Sequence, residues 1–264
     1  HKGITRKYPH TAGVDASGVV VRSSDNSYNI GDKVVVTGHD LGMNTNGGFA
    51  EYISVPKNWV IPLPKELTLK EAMIYGTAGM TAAQCVNELI KHQITPDRGK
   101  ILVTGATGGV GSLSVAILGK LGYNVTASTG KIDKIDFLRN IGASEIINRT
   151  DVYDTTNKPL LQRKWASAID VVGGNTLSTI FRSTDYSGIV CVLGLVESAE
   201  LNTNVYPFLQ RGVSLIGIDS AEKPLDLKKF LWDKLSKEWK PDCLDIIYNE
   251  VSLLDIAPQI EAIL

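Results

Sequence analysis

The segment Ile101-Leu-Val-Thr-Gly-Ala-Thr-Gly-Gly-Val-Gly-Ser112 constrains this chain more than any other. An apolar strand runs into a glycine-rich turn and then into a helix whose apolar residues are Val110, Leu113, Ile117 and Leu121. That order of strand, turn and helix is what a dinucleotide-binding fingerprint requires. Gly108 lets the backbone approach a pyrophosphate, and Gly111 allows close packing of helix on strand. The helix start at Gly109 and Val110 offers free N–H groups and the positive end of a dipole to phosphates. The first fingerprint position is Ala106 rather than glycine, giving A-x-G-x-x-G.

The next strand bears on which dinucleotide is bound. An NAD-preferring fold places Asp or Glu at its end for the ribose 2′-hydroxyl. Here the strand ends Thr126-Ala-Ser-Thr-Gly-Lys131, with no acid. Ser128, Thr129 and Lys131 can donate to a 2′-phosphate, which a carboxylate would repel. Arg149, just after the third strand, can reach the same place. The expectation is NADPH over NADH.

Around this motif, strands are expected at 101–105, 124–128, 145–147, 168–172, 189–194 and 213–218. Helices are expected at 109–121, 131–141 and 175–181. Strands alternating with helices indicate βαβ units and a parallel sheet, and six strands in two sets of three match a Rossmann doubly wound fold. Leu227, Leu231, Leu235 and Trp239 recur at i+4, predicting a helix packed on that sheet. The last elements are expected at 245–251 and 253–264. Upstream of Leu63 the texture differs. The β-branched runs 17–22, 33–37 and 50–55 are separated by turn-rich stretches, which suggests a small barrel or sandwich. Between the two lies a helical region from Leu69 to about His92.

Composition narrows the classes. The 264 residues carry 27 bases and 28 acids, a net charge of −1, which speaks against nucleic acid as a bulk partner. No apolar run approaches the ~18 residues of a membrane span. The cysteines, Cys85, Cys191 and Cys243, are odd in number and far apart, so a reducing, cytoplasmic setting is expected. The chain starts at His1 and stops at Leu264 within an apolar helical pattern, so both ends read as cut.

Several stretches together carry a family resemblance. They are Tyr8-Pro-His-Thr-Ala-Gly-Val-Asp-Ala-Ser-Gly-Val-Val20, Gly47-Gly-Phe-Ala-Glu-Tyr52, Glu71-Ala-Met-Ile-Tyr-Gly-Thr-Ala-Gly-Met-Thr-Ala82, the glycine-rich turn, and Tyr206-Pro-Phe-Leu-Gln-Arg-Gly-Val-Ser-Leu-Ile-Gly-Ile-Asp-Ser220. On these the chain resembles the medium-chain dehydrogenase/reductase superfamily. The resemblance is to its zinc-free branch of quinone oxidoreductases and acryloyl-CoA reductases, the YhdH/YhfP type. It implies a GroES-like β-barrel domain, partial here, over 1–75 with 248–264, and a Rossmann NADP-binding domain over 76–247.

The resemblance also implies sites. Zinc alcohol dehydrogenases carry a ligating His in Gly-His-Glu, matched here by Gly13-Val14-Asp15. A second ligand position, normally Cys, matches Thr77. His1, His10, His39 and His92 fall into no metal-ligand spacing, so no metal is expected. Thr81 matches the threonine that packs at the nicotinamide. Gly194 with Leu195, and Ile218, Asp219 and Ser220, match regions that hold its amide. An Asn-Tyr-Lys-Asp segment upstream of the residue matching His1, and a C-terminal Gln-Gly-Arg, have no counterpart here, so no proton donor is assigned.

The function expected is zinc-independent transfer of hydride from NADPH to an activated C=C bond, with acryloyl-CoA preferred. Reduction of a quinone is the second enzymatic reading. A non-catalytic NADPH-binding redox sensor or structural protein is the alternative of another class. The strand 213–218 reads as an apolar sheet edge, and relatives resembling this chain dimerise there, so a homodimer is expected.

Overall fold

The computed structural model describes residues 8–263. They divide into two compact units. The first takes in the chain up to Thr77, Ala221–Ser236 and the residues from Leu244 on. The second takes in Ala78–Ser220 and Lys237–Cys243.

The second unit is built on six parallel strands: β4 (Lys100–Val103), β5 (Asn124–Thr129), β6 (Glu145–Asn148), β7 (Ser167–Asp170), β8 (Ile189–Val192) and β9 (Ser214–Gly217). Their order is β6-β5-β4-β7-β8-β9, so the order in which strands are added reverses between β4 and β7. That is the doubly wound order expected of two mononucleotide-binding halves. The helices α2 (Gly109–Lys120), α3 (Ile135–Asn140), α4 (Gly174–Ser183) and α5 (Tyr206–Arg211) accompany it. One core cluster joins Leu102, Ala168 and Val190 of the sheet to Leu177, Ile180 and Phe181 of α4. Each large apolar side chain buried this way contributes about 1.5–3 kcal/mol.

The first unit holds a three-stranded antiparallel sheet, β1 (Asp15–Val19), β2 (Lys33–Thr37) and β3 (Ile61–Pro62), in that order. Its core gathers Val36, Leu41 and Val60, with Tyr28, Ile53, Val55 and Trp59 packed against them. The helices α6 (Leu225–Ser236) and α7 (Ile256–Ile263) also belong to this unit. Helix α1 (Leu69–Lys91) is interrupted at Gly76, whose φ of 47° and ψ of −151° are non-helical.

The structure departs from the sequence reading at identifiable places. The expected strand 17–22 begins two residues earlier, at Asp15. The run 50–55 forms no strand. Ile53 and Val55 instead pack singly onto the core, because β-branched residues make a strand only where a neighbour offers a ladder. The helix expected over 131–141 splits into a 3-10 turn, Ile132–Lys134, and α3. The helix expected to reach Trp239 ends at Ser236. That helix packs on β3, within the first unit, rather than on the parallel sheet. The stretch 245–251 holds only a 3-10 turn, Leu244–Ile246. The segment Ala221–Ser236, assigned by sequence to the Rossmann domain, groups with the first unit.

Candidate dinucleotide site

Every residue expected at the cofactor belongs to the second unit. The chain leaves β4 through the fully buried Thr104 and turns at Gly105, whose φ is 54°. Left-handed backbone favours glycine. The tight turn therefore falls on Gly105, which explains why Ala106 can occupy the first fingerprint position. Ala106 is fully buried, and its N–H donates to the carbonyl of Ser128 at 3.2 Å. A side chain at Gly111 would collide with the carbonyl of Gly105, so the close approach of helix to turn depends on that glycine.

Helix α2 begins after Gly108 with no side-chain cap and no acid in its first turn. The first N–H groups of a helix have no intrahelical acceptor. Gly109, Val110 and Gly111 thus present unsatisfied donors and a positive dipole end. Helix α1 lies beside this turn, since a side chain at Gly109 would meet Ala78 at 3.3 Å. Thr81, one helical turn from Ala78, is buried.

A buried carboxylate stands behind the turn. Asp170, at the end of β7, has no exposed surface. Its Oδ1 accepts from the Thr104 hydroxyl at 2.6 Å and its Oδ2 from the Gly173 N–H at 2.8 Å. The Thr104 hydroxyl oxygen accepts in turn from the Val171 N–H at 3.1 Å. Burial pushes the Asp170 carboxyl above the usual range, against these hydrogen bonds. The network ties the ends of β4 and β7 at the point where strand order reverses, the place where open α/β sheets bind ligands. Sequence reasoning passed over Asp170 and Thr104. The available signal was an acid closing an apolar strand.

At the end of β5, Ser128 and Thr129 are buried, and the Thr129 hydroxyl accepts from the Lys131 N–H at 3.0 Å. Lys131 and Arg149 are exposed. The Arg149 side chain lies along Gly130, so Thr129, Lys131 and Arg149 gather at one corner. At the other half of the sheet, Gly194 follows β8, and a side chain there would collide with the carbonyl of Val171. Leu195 is exposed. The Ile218 N–H donates to the carbonyl of Val192 at 2.9 Å, continuing the β8–β9 ladder, and Asp219 and Ser220 follow. These positions all lie beyond the carboxyl ends of parallel strands.

The first unit shows what occupies the positions matched to metal ligands. Asp15 Oδ1 accepts from the Thr77 hydroxyl at 2.6 Å. Val14 offers no donor atom. The His10 Nε2–H donates to the carbonyl of Gly42 at 3.0 Å, His39 Nε2 accepts from Lys228 at 3.1 Å, and His92 Nδ1 contacts the carbonyl of Glu88 at 2.9 Å. His1 lies outside the described residues. Among the described residues, no three His, Cys, Asp or Glu side chains are grouped to hold a metal ion. The donor set does not fit zinc. Sequence reasoning also missed Lys228, fully buried on α6, which donates to the carbonyls of Thr37 at 2.9 Å and Ala221 at 2.8 Å.

Two family models match the sequence: "Alcohol dehydrogenase GroES-like domain" over residues 1–65, and "Zinc-binding dehydrogenase" over residues 109–237. YhfP of Bacillus subtilis, which carries a quinone oxidoreductase name, is 49% identical over 251 residues, 95% of this chain and 76% of the relative. The chain belongs to the medium-chain dehydrogenase/reductase family. Acrylyl-CoA reductase AcuI of Ruegeria pomeroyi is 41% identical over 254 residues, 96% of this chain and 77% of the relative. Among solved structures, Bacillus subtilis yhfP with NAD bound superposes with a TM-score of 0.97 at 47% identity, covering 99% of this chain and 80% of that one. The yhdH oxidoreductase of Salmonella enterica in complex with NADP gives 0.95 at 38% identity, covering 98% and 80%. As a member of this family the chain is an oxidoreductase, with a Rossmann-type sheet and a small antiparallel sheet in keeping with a GroES-like domain.

Proposed function

We propose that this chain is an NADPH-dependent, zinc-independent reductase that transfers hydride to an activated C=C bond, acryloyl-CoA first among the candidates. The observation that carries the reading is the corner of Thr129, Lys131 and Arg149, with no carboxylate at the end of β5. Such a corner suits a 2′-phosphate, because an acid there would repel it. The uncapped start of α2 would receive the pyrophosphate, and Thr81, Gly194, Leu195, Ile218, Asp219 and Ser220 would hold the nicotinamide end. When bound, the cofactor supplies the hydride. The chain's own residues bind and orient it, and the closed Asp170 network keeps the turn beneath it rigid.

Val14 and Thr77 at the positions matched to metal ligands, with no grouped metal donors among the described residues, favour acceptors that are already electron-poor, such as an enoyl thioester or a quinone. The AcuI name supports the first and the YhfP name the second. The deciding experiment follows loss of the reduced-nicotinamide absorbance with acryloyl-CoA, crotonyl-CoA and benzoquinone in parallel. Acryloyl-CoA turnover is expected, with kcat/KM at least about tenfold higher for NADPH than for NADH. Turnover with the quinone alone moves the assignment to the second reading. Equal efficiency with both cofactors sinks the NADPH reading, and tight cofactor binding without turnover favours a sensor or structural role.

A cytoplasmic setting accords with three free cysteines. Among the described residues no helix is long and apolar enough to cross a membrane. Among the described residues strand β9 pairs only with β8 and ends the sheet, so the proposal includes a homodimer through that edge. A monomer in sedimentation at micromolar concentration would count against that.

A further inference from the structure

We propose that Gly130 is a specificity-determining residue of the nucleotide site, because its missing side chain seats the Arg149 guanidinium, while Asn148 fixes that arginine's backbone. The inference rests on the NADPH reading above and deepens it by naming what holds the second cation in place.

Strand register brings the two residues together. Strands β5 and β6 are parallel, with Thr129 opposite Asn148. The next residues, Gly130 and Arg149, therefore leave the sheet level with each other at its carboxyl edge. A Cβ on Gly130 would lie 3.0 Å from Arg149 Nε, 3.1 Å from Cδ and 3.2 Å from Cζ. The arginine stem and guanidinium thus rest on the bare backbone of residue 130. Gly130 is not among the positive-φ glycines, so alanine fits its backbone. The added methyl acts on Arg149, a flexible side chain, rather than on the fold.

The other half of the device is the turn that carries Arg149. The Asn148 side chain accepts from the Thr150 N–H and hydroxyl, each at 3.0 Å. The Asp151 carboxylate accepts from the Asn148 N–H at 3.0 Å. This reciprocal capping box fixes the 3-10 turn Arg149–Val152, and Val152 anchors it in the core. Its acid is spent on backbone, so it does not pair with Arg149. Among the described residues no carboxylate forms an ion pair with Arg149 or Lys131. An exposed ion pair contributes little unless its geometry is fixed. Gly130 leaves the space in which the Arg149 side chain lies, the capping box sets the backbone it reaches from, and an Arg–phosphate contact made there is strong and directional.

The test is a double-mutant cycle on cofactor affinity, measured by calorimetry with NADPH and NADH. Adenosine 2′,5′-bisphosphate and 5′-AMP serve as probes that lack the nicotinamide. Gly130→Ala is expected to weaken NADPH and the bisphosphate roughly tenfold while leaving NADH and AMP within about twofold. Arg149→Ala should weaken the same two ligands at least as much, and Gly130→Ala should add nothing once Arg149 is gone. An unchanged melting temperature in Gly130→Ala shows that the fold is intact. The inference is overturned if Gly130→Ala leaves NADPH affinity unchanged, weakens all four ligands alike, or adds in full to Arg149→Ala. A wild-type chain with no preference for NADPH overturns the underlying reading. A wild-type preference that survives Gly130→Ala overturns this inference alone.

Discussion

Each unit sets an aspartate against a threonine hydroxyl at 2.6 Å: Asp15 with Thr77 in the first, Asp170 with Thr104 in the second. Burial raises both carboxyls above their ordinary value. The settings differ. Asp170 is completely buried and is satisfied by the Gly173 N–H as well as the threonine, whose hydroxyl accepts from Val171. It closes the carboxyl end of an interior strand, and every partner is a residue just beyond a strand end that the sheet needs in place. Asp15 sits at the break in α1, where a side chain at Gly76 would come within 2.7 Å of its carboxylate, and the charge of Lys228 opposes the cost of its burial. The same pair of side chains stitches a sheet in one unit and a helix break in the other. What a buried carboxylate contributes depends on how many donors would be orphaned by its loss.

Substitution and unfolding separate the two aspartates. Asp170→Ala leaves the Thr104 hydroxyl and the Gly173 N–H without an acceptor in a closed interior, and should cost about 3 kcal/mol in urea unfolding. Asp15→Ala orphans fewer donors, beside a residue that keeps some exposure, and should cost roughly half as much. Equal losses would mean that the number of donors does not set the difference. The smaller effect is one of pH. A carboxyl whose folded pKa is raised holds its proton longer in the folded state than in the unfolded. Its contribution is present in full below the unfolded value of 3.8 and is lost as pH rises through the folded value. Asp15→Asn keeps an acceptor for Thr77 and does not titrate. Its urea midpoint should therefore gain on the wild type between pH 4 and pH 7, and parallel curves over that window would refute the shift.

The parts that were legible from sequence are those written locally. The β4–turn–α2 motif could be read because strand, glycines and amphipathic helix are contiguous. The six strands could be read because their apolar runs are bounded by turns. Run 50–55 was misread because its alternation is genuine while its ladder partner is not there to see. Helix α6 was placed on the wrong sheet because Leu227, Leu231 and Leu235 mark a buried face without naming its partner. The true face adds Lys228 and Trp232. A buried lysine was invisible because two of its acceptors, the carbonyl of Thr37 and the ring of His39, lie nearly two hundred residues upstream, beyond any local pattern. Gly130 is silent until the β5–β6 register sets it beside Arg149. Candidate cofactor residues emerged by motif and resemblance, while the groups that hold them rigid emerged only from pairing.

The division of the chain has a consequence for its assembly. The second unit owns an almost unbroken stretch, Ala78–Ser220, which contains every strand of its sheet. The first is assembled from three stretches and cannot be completed until Ala221–Ser236 and the residues from Leu244 on have been made. Closing contacts across so long an intervening segment is slow, whereas contacts between neighbouring strands and helices form early. Made from its N-terminus, the chain has all six strands of the parallel sheet in hand before α6, which supplies the Lys228 anchor, is made.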